Sequence, residues 1–173
     1  MEEQQFIMCM ARMKDGDKVA LHEVYEAYLA YVYHIVLQVV QNKEDAEDVT
    51  SEFFIKLWKI ADNYKPQEGH RGWLAAIARN MAIDLLRKRK KEILTEEFIE
   101  EVSDESIEEL VIEDLSMQQA LEKLQTAERE IVHLKICGML TFQEIANILK
   151  IPFGTVTWRY QNAIKKLKRC GYE

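Results

Sequence analysis

The side chains best suited to chemistry in this chain cluster in residues 71–91, RGWLAAIARNMAIDLLRKRKK, and what they suit is the binding of anions and flat rings. Seven basic residues (Arg71, Arg79, Arg87, Lys88, Arg89, Lys90 and Lys91) stand there against one acid, Asp84. Leu74, Ile77, Ala78, Met81 and Leu85 recur at three- and four-residue steps, which predicts a helix with one apolar stripe. Arg79, Asn80, Ile83, Asp84, Arg87 and Lys91 fall on the other side. Just upstream, Tyr64, His70 and Trp73 put flat side chains in a Gly-containing loop, where rings can stack on bases. Two readings fit this stretch alone: a solvated helix end with core aromatics, or a helix that binds nucleic acid.

Covalent chemistry has no comparable candidate. The sequence offers no nucleophile beside a base, no phosphate-cradling loop and no metal cluster, which argues against an enzyme. Cys9, Cys137 and Cys170 are odd in number and widely spaced, as expected of reduced thiols in an intracellular protein. His22, His34, His70 and His133 are scattered, so neither a metal nor another cofactor is expected. With 48% hydrophobic and 31% charged residues the composition is that of a soluble globular protein. No apolar run reaches membrane-spanning length and the N-terminus lacks a signal pattern, so a cytoplasmic location is expected.

A net charge of −7 at first argues against a nucleic-acid partner. The charge is segregated, however. Residues 92–114 hold eleven acids and no Lys or Arg, whereas residues 150–173 hold six basic residues against Glu173. The chain therefore reads basic, acidic, basic, and the whole-chain figure misleads.

The elements that must position these groups are helices, since only two prolines and six glycines interrupt the periodic stretches. The first dozen residues carry no clear signal. From residue 18 to about 40, Leu21, Val24, Tyr25, Tyr28, Val32, Ile35, Val36 and Val39 form one long stripe. Asn42 then has the character of an N-cap, followed by Glu44 and Asp45 at the positive helix end. The helix it opens, to about residue 62, is expected to bury Ala46, Val49, Phe53, Leu57 and Ile60. Asp48, Ser51, Glu52 and Ile55, with Trp58 nearby, form a separate face, which is either plain solvated surface or a partner-binding surface. Together with the basic helix this makes a compact bundle.

Residues 92–115 are expected to be an acidic linker, in which charge repulsion disfavours a packed core. A second module follows, residues 116–173. Leu121 and Leu124 close its first helix, Thr126 is expected to cap a second carrying Ile131, Leu134 and Ile136, and Thr141 to Glu144 has capping-box spacing. The helix so opened packs Ile145, Ala146 and Leu149. A turn at residues 150–154 leads to a last helix with Val156, Tyr160, Ala163, Ile164 and Leu167 inward. A short helix, a tight turn and a longer helix with a polar, basic outer face match either a helix-turn-helix or a plain helical hairpin.

Read together, DAEDVTSEFFIKLW (residues 45–58), RGWLAAIARNMAIDLLRKRKK (71–91) and LTFQEIANILKIPFGTVTWRYQNAIKKLK (140–168) closely resemble the extracytoplasmic-function (ECF) class of bacterial RNA polymerase sigma factors. The resemblance covers about residues 18–91 and 116–169, in order and with family-like spacing. It implies an all-α fold of two small domains: a three-to-four-helix region 2 bundle in residues 1–91 and a region 4 helix-turn-helix in residues 116–173.

The residues take roles by that resemblance. Asp48, Ser51, Glu52, Phe54 and Trp58 match the surface that docks on the β′ clamp helices of core RNA polymerase, with Ser51 where Gln is usual. His70, Arg71, Trp73, Arg79, Asn80, Asp84, Arg87 and Lys88 match the element that opens and reads the −10 promoter region, with His70 where Phe is more frequent. Thr155, Thr157, Trp158, Arg159, Gln161, Asn162 and Lys165 lie on the presumed recognition helix for the −35 major groove. Here the departures are largest: Pro152 and Trp158 stand where Ser is usual, Thr157 where Lys is, and Asn162 where Arg is frequent. The resemblance also implies contact with the polymerase β flap and control by an anti-sigma factor, often membrane-bound. Two other readings stay open: a helix-turn-helix regulator acting on duplex DNA without polymerase, and a decoy that occupies polymerase or an anti-sigma factor.

Overall fold

A computed structural model of the chain describes residues 1–66, 69–95, 121 and 123–169. The chain divides into two compact units, residues 1–105 and 106–173. The acidic segment from residue 96 onward and Cys170, both singled out above, lie outside the described residues.

The first unit is built from α1 (Glu3–Lys14), α2 (Lys18–Val40), α3 (Lys43–Lys59), a short 3-10 turn (Ala61–Asn63) and α4 (His70–Thr95). Its first helix corrects the sequence reading, which found nothing there. Phe6, Cys9, Met10 and Met13 recur at steps of three and one and all sink into the core, so α1 is an integral layer. The chain then turns at Gly16, whose φ of 85° lies in the region glycine enters without steric cost. Asp17 caps α2 by accepting from the Val19 N–H at 2.8 Å. Arg12 fastens the corner by pairing with Asp17 and Glu23 at 2.7 and 2.9 Å.

Helix α2 buries Ala20, Val24, Tyr28, Val32, Ile35, Val36 and Val40. Leu21 and Val39 are only half-buried, and Tyr25 is 38% exposed. Asn42 caps α3 as expected, its side chain accepting from the Asp45 N–H at 3.0 Å. Ala46, Val49, Phe53 and Leu57 face inward, while Ile60 is half-buried. The apolar stripe of α4 is rotated from the expected one: Leu74, Ala75, Ala78 and Ala82 are fully covered, and Ile77, Met81 and Leu85 lie at the margin. The alanines allow close approach to α2 and α3. Asp45 is buried, and the Arg89 guanidinium of α4 meets it through both terminal nitrogens.

The second unit contains α5 (Thr126–Ile136), α6 (Phe142–Leu149) and α7 (Phe153–Arg169). The cap of α5 lies one residue before the expected Thr126. Gln125 and Glu128 form a reciprocal capping box there. Ile136 is exposed, whereas Ile131, Val132 and Leu134 fill the buried face. Gly138 ends α5 tightly; a Cβ there would lie 2.4 Å from the Leu134 carbonyl oxygen. Thr141 and Glu144 form the expected capping box of α6, the Thr141 hydroxyl accepting from the Glu144 N–H at 3.2 Å. Leu124, Val132, Ala163 and Leu167 make one buried cluster, joined by Leu121, Tyr160 and Ile164.

Glu128 has two duties here. It closes the α5 cap and pairs with Lys166 of α7 at 2.7 Å, with its side chain 7% exposed. Glu128→Ala is expected to destabilise this unit by about 2 kcal/mol, by losing a cap and leaving the Lys166 ammonium without its partner. Urea unfolding of the full chain checks this, and a loss under about 0.5 kcal/mol contradicts it.

Candidate functional site

The two faces of the first unit can now be built from their residues. On α3, Asp48 and Glu52 are one turn apart, both exposed and on the same side, with Ser51 between them. The Ser51 hydroxyl donates to the Glu47 carbonyl at 2.9 Å, within its own helix. Trp58 is half-buried at the end of this strip. Phe54 does not belong to it. At 5% exposure it is enclosed, packing on Tyr25 at 4.8 Å and on Phe53 at 5.1 Å between ring centroids. The exposed apolar member is its neighbour Ile55, at 59%. The arrangement is two carboxylates beside an apolar patch, which suits a basic, partly apolar protein surface.

On α4, Asn80, Asp84, Arg87 and Lys88 are exposed, and Arg79 is half-buried. Arg87 and Asp84 form only a loose surface pair at 3.8 Å. At the start of the helix Trp73 is half-buried, its indole packed on the Tyr64 ring at 5.1 Å. Arg71 is half-buried, its guanidinium 5.9 Å from the Tyr31 ring centroid and its carbonyl accepting from the Tyr31 hydroxyl. Arg89 is turned away from the outer face by its bond to Asp45.

His70 departs from expectation. It is 6% exposed and stacks on Phe6, with ring centroids 4.9 Å apart. Its Nδ1 meets the Glu3 carboxylate and its Nε2 the Tyr28 hydroxyl. An imidazole held at both nitrogens and covered by Phe6 presents no open face to a ligand. Burial pushes the Glu3 carboxyl up, but the hydrogen bonds from Tyr64 and His70 outweigh it and hold the group below its usual value. Burial pushes the Tyr28 hydroxyl up to about 12, so it stays protonated. The network of Glu3, Tyr28, Tyr64 and His70 went unread in the sequence because its members are up to 67 residues apart.

In the second unit, Trp158, Gln161 and Lys165 project from one side of α7, with Trp158 at 62% exposure. Thr155, Thr157, Arg159 and Asn162 are half-buried at its edges. The Thr157 hydroxyl donates back to the Phe153 and Gly154 carbonyls at 3.2 and 3.0 Å. The outer face of α7 thus centres on an aromatic ring flanked by an amide and a cation, a set that fits apolar and hydrogen-bonding base edges together. Among the described residues no cluster of His, Cys, Asp and Glu could hold a metal ion.

Comparison with known families decides what this arrangement is. Sigma-70 region 2 matches residues 24–92 and Sigma-70, region 4 matches residues 120–169. Curated relatives carry the same class name across most of the chain. The ECF RNA polymerase sigma factor SigW of Bacillus subtilis is 27% identical over 91% of this chain and 92% of its own. SigE of Mycolicibacterium smegmatis is 31% identical over 73% of this chain and 52% of its own. The chain belongs to the ECF sigma factors. Two solved structures share the fold. The sigma factor RpoE of Bartonella quintana, solved with the anti-sigma factor NepR, has a TM-score of 0.67 at 22% identity, covering 86% of this chain and 94% of that one. CnrH, solved with the cytosolic domain of CnrY, has a TM-score of 0.66 at 20% identity, covering 95% and 96%.

In this sigma factor the α3 strip and the outer face of α4 both fall within the region 2 match, and the α7 face within the region 4 match. Helix α1 lies ahead of the region 2 match. Among the described residues no helix is long and apolar enough to cross a membrane.

Proposed function

We propose that this sigma factor docks on the β′ clamp helices of core RNA polymerase through Asp48, Ser51, Glu52, Ile55 and Trp58, and directs the enzyme to promoters by reading two DNA elements. Residues 1–91 act as region 2, residues 92–115 as an acidic strap and residues 116–173 as region 4, which also meets the β flap. Arg71, Trp73, Arg79, Asn80, Asp84, Arg87 and Lys88 serve the −10 element. The cations hold phosphates, a sequence-independent and salt-sensitive contribution, while Trp73 stacks on an unpaired base and Asn80 offers a donor and an acceptor to a base edge. Thr155, Thr157, Trp158, Arg159, Gln161, Asn162 and Lys165 serve the −35 element. The protein is a cytoplasmic, non-catalytic initiation factor, held in check by an anti-sigma factor.

The observation that carries this reading is the coexistence, in one bundle, of an exposed acidic-apolar strip on α3 and an exposed amide-cation face on α4. A regulator working on duplex DNA alone needs only the second. Run-off transcription with purified core polymerase tests it: transcripts that depend on adding this chain support the reading, and operator binding without polymerase overturns it. Asn80→Ala is expected to change −10 base preference by about tenfold while lowering overall promoter affinity less. Competition among −10 variants reads this, and a uniform loss across sequences makes Asn80 a mere positioning residue.

A further inference from the structure

The α1 helix, outside the region 2 match, reaches the residues that flank the proposed −10 face through Glu3 and Phe6. The Glu3 carboxylate accepts from the Tyr64 hydroxyl on one oxygen. On the other it accepts from the His70 backbone N–H at 3.3 Å and meets His70 Nδ1. Residue 64 leads out of the 3-10 turn after α3, and residue 70 is the first of α4. A single carboxylate therefore fixes both the end of one element and the beginning of the next. Tyr64 carries the Trp73 ring against it, and Arg71 directly follows His70. Phe6, one turn on from Glu3 in α1, backs the arrangement by packing on Tyr64 at 5.1 Å and on His70 at 4.9 Å.

We propose that Glu3 is a positioning residue for promoter opening, setting Trp73 and Arg71 in place through its joint hold on Tyr64 and His70. This rests on the reading of Trp73 and Arg71 as −10 residues. Opening a duplex requires that the stacking ring already stand where the base will arrive, because any ordering left to that moment adds to the barrier. Glu3 does this ordering in advance and touches no DNA. A side chain that only stabilised the bundle would affect every activity of the protein alike. Glu3 is expected to affect one.

The test uses holoenzyme reconstituted from the full chain and core polymerase. With Glu3→Gln, which keeps the shape and removes the charge, opening of a duplex promoter is expected to slow by about tenfold. Permanganate reactivity of unpaired −10 thymines follows it. Affinity for core, and transcription from a template already unpaired at −10, are expected to stay within about twofold of the unsubstituted protein. On a Trp73→Ala background, Glu3→Gln is expected to add less than it does alone, since the part acting through the Trp73 ring is already lost and only the part acting through Arg71 remains. Tyr64→Phe, which removes one donor alone, is expected to slow opening in the same selective way and serves if Glu3→Gln lowers the yield of folded protein. Unchanged opening, equal losses on duplex and pre-opened templates, or full additivity with Trp73→Ala each overturn the proposal. If Trp73→Ala and Asn80→Ala themselves leave opening intact, the −10 reading falls and the role of Glu3 falls with it, a pattern distinct from failure of Glu3 alone.

Discussion

Reversing two charges on α3, Asp48→Lys with Glu52→Lys, is expected to lower affinity for core RNA polymerase by at least about a hundredfold. Close charge pairs across protein interfaces couple by about 1.5–7 kcal/mol each, and about 2.8 kcal/mol already corresponds to a hundredfold. The variant turns two attractions into two repulsions at adjacent positions of one face. The fold should not notice. Both side chains are exposed, whereas α3 is anchored from its other side by Ala46, Val49, Phe53 and Leu57. Exposed substitutions of this kind usually cost under about 0.5 kcal/mol, with a similar increment for setting Lys at 52 one turn from Lys56. Fluorescence titration against core measures the affinity and thermal unfolding the fold. Undiminished affinity in a folded variant removes α3 as the docking element.

The second large effect belongs to the core of the bundle. Phe6→Ala is expected to destabilise the first unit by about 3–5 kcal/mol, the range for truncating a fully enclosed phenylalanine. Phe6 has no exposed surface and sits edge-on to Tyr28 and Tyr64 and stacked on His70. Domains of this kind have only about 5–15 kcal/mol in hand, so the first unit would lose a large share of its folded population at elevated temperature. Chemical unfolding of the full chain gives the figure. A cost under about 1 kcal/mol would mean that α1 is an ornament on a three-helix bundle and that the core closes without it.

Part of this structure was legible in the sequence and part was not. Local signals were readable: the Asn42 cap, the Thr141–Glu144 box and the inward Val156, Ala163 and Leu167 each depend on neighbours within one or two turns. Helix α1 was missed although Phe6, Cys9, Met10 and Met13 have helical spacing, because Cys and Met mixed with Gln, Arg and Lys give weak contrast between its faces. Phe54 and Ile55 are adjacent on α3, and the choice of which one is covered is made by Tyr25 across the bundle. His70 looked like a loop aromatic; only Glu3 and Tyr28, brought in from elsewhere in the chain, make it a core residue. The α4 stripe was displaced by one position because Ala75 and Ala82 carry little hydrophobic weight in a pattern, yet their small size is what admits the neighbouring helices.

The bond between Asp45 and Arg89 has a mechanical meaning. It rivets the first turn of α3 to the later part of α4, with both helices already seated on α2. The strip proposed to grip the enzyme and the face proposed to grip the promoter therefore lie on two helices joined by this ion pair. On the proposed function, the angle at which the enzyme takes hold is thereby tied to the angle at which the promoter is presented.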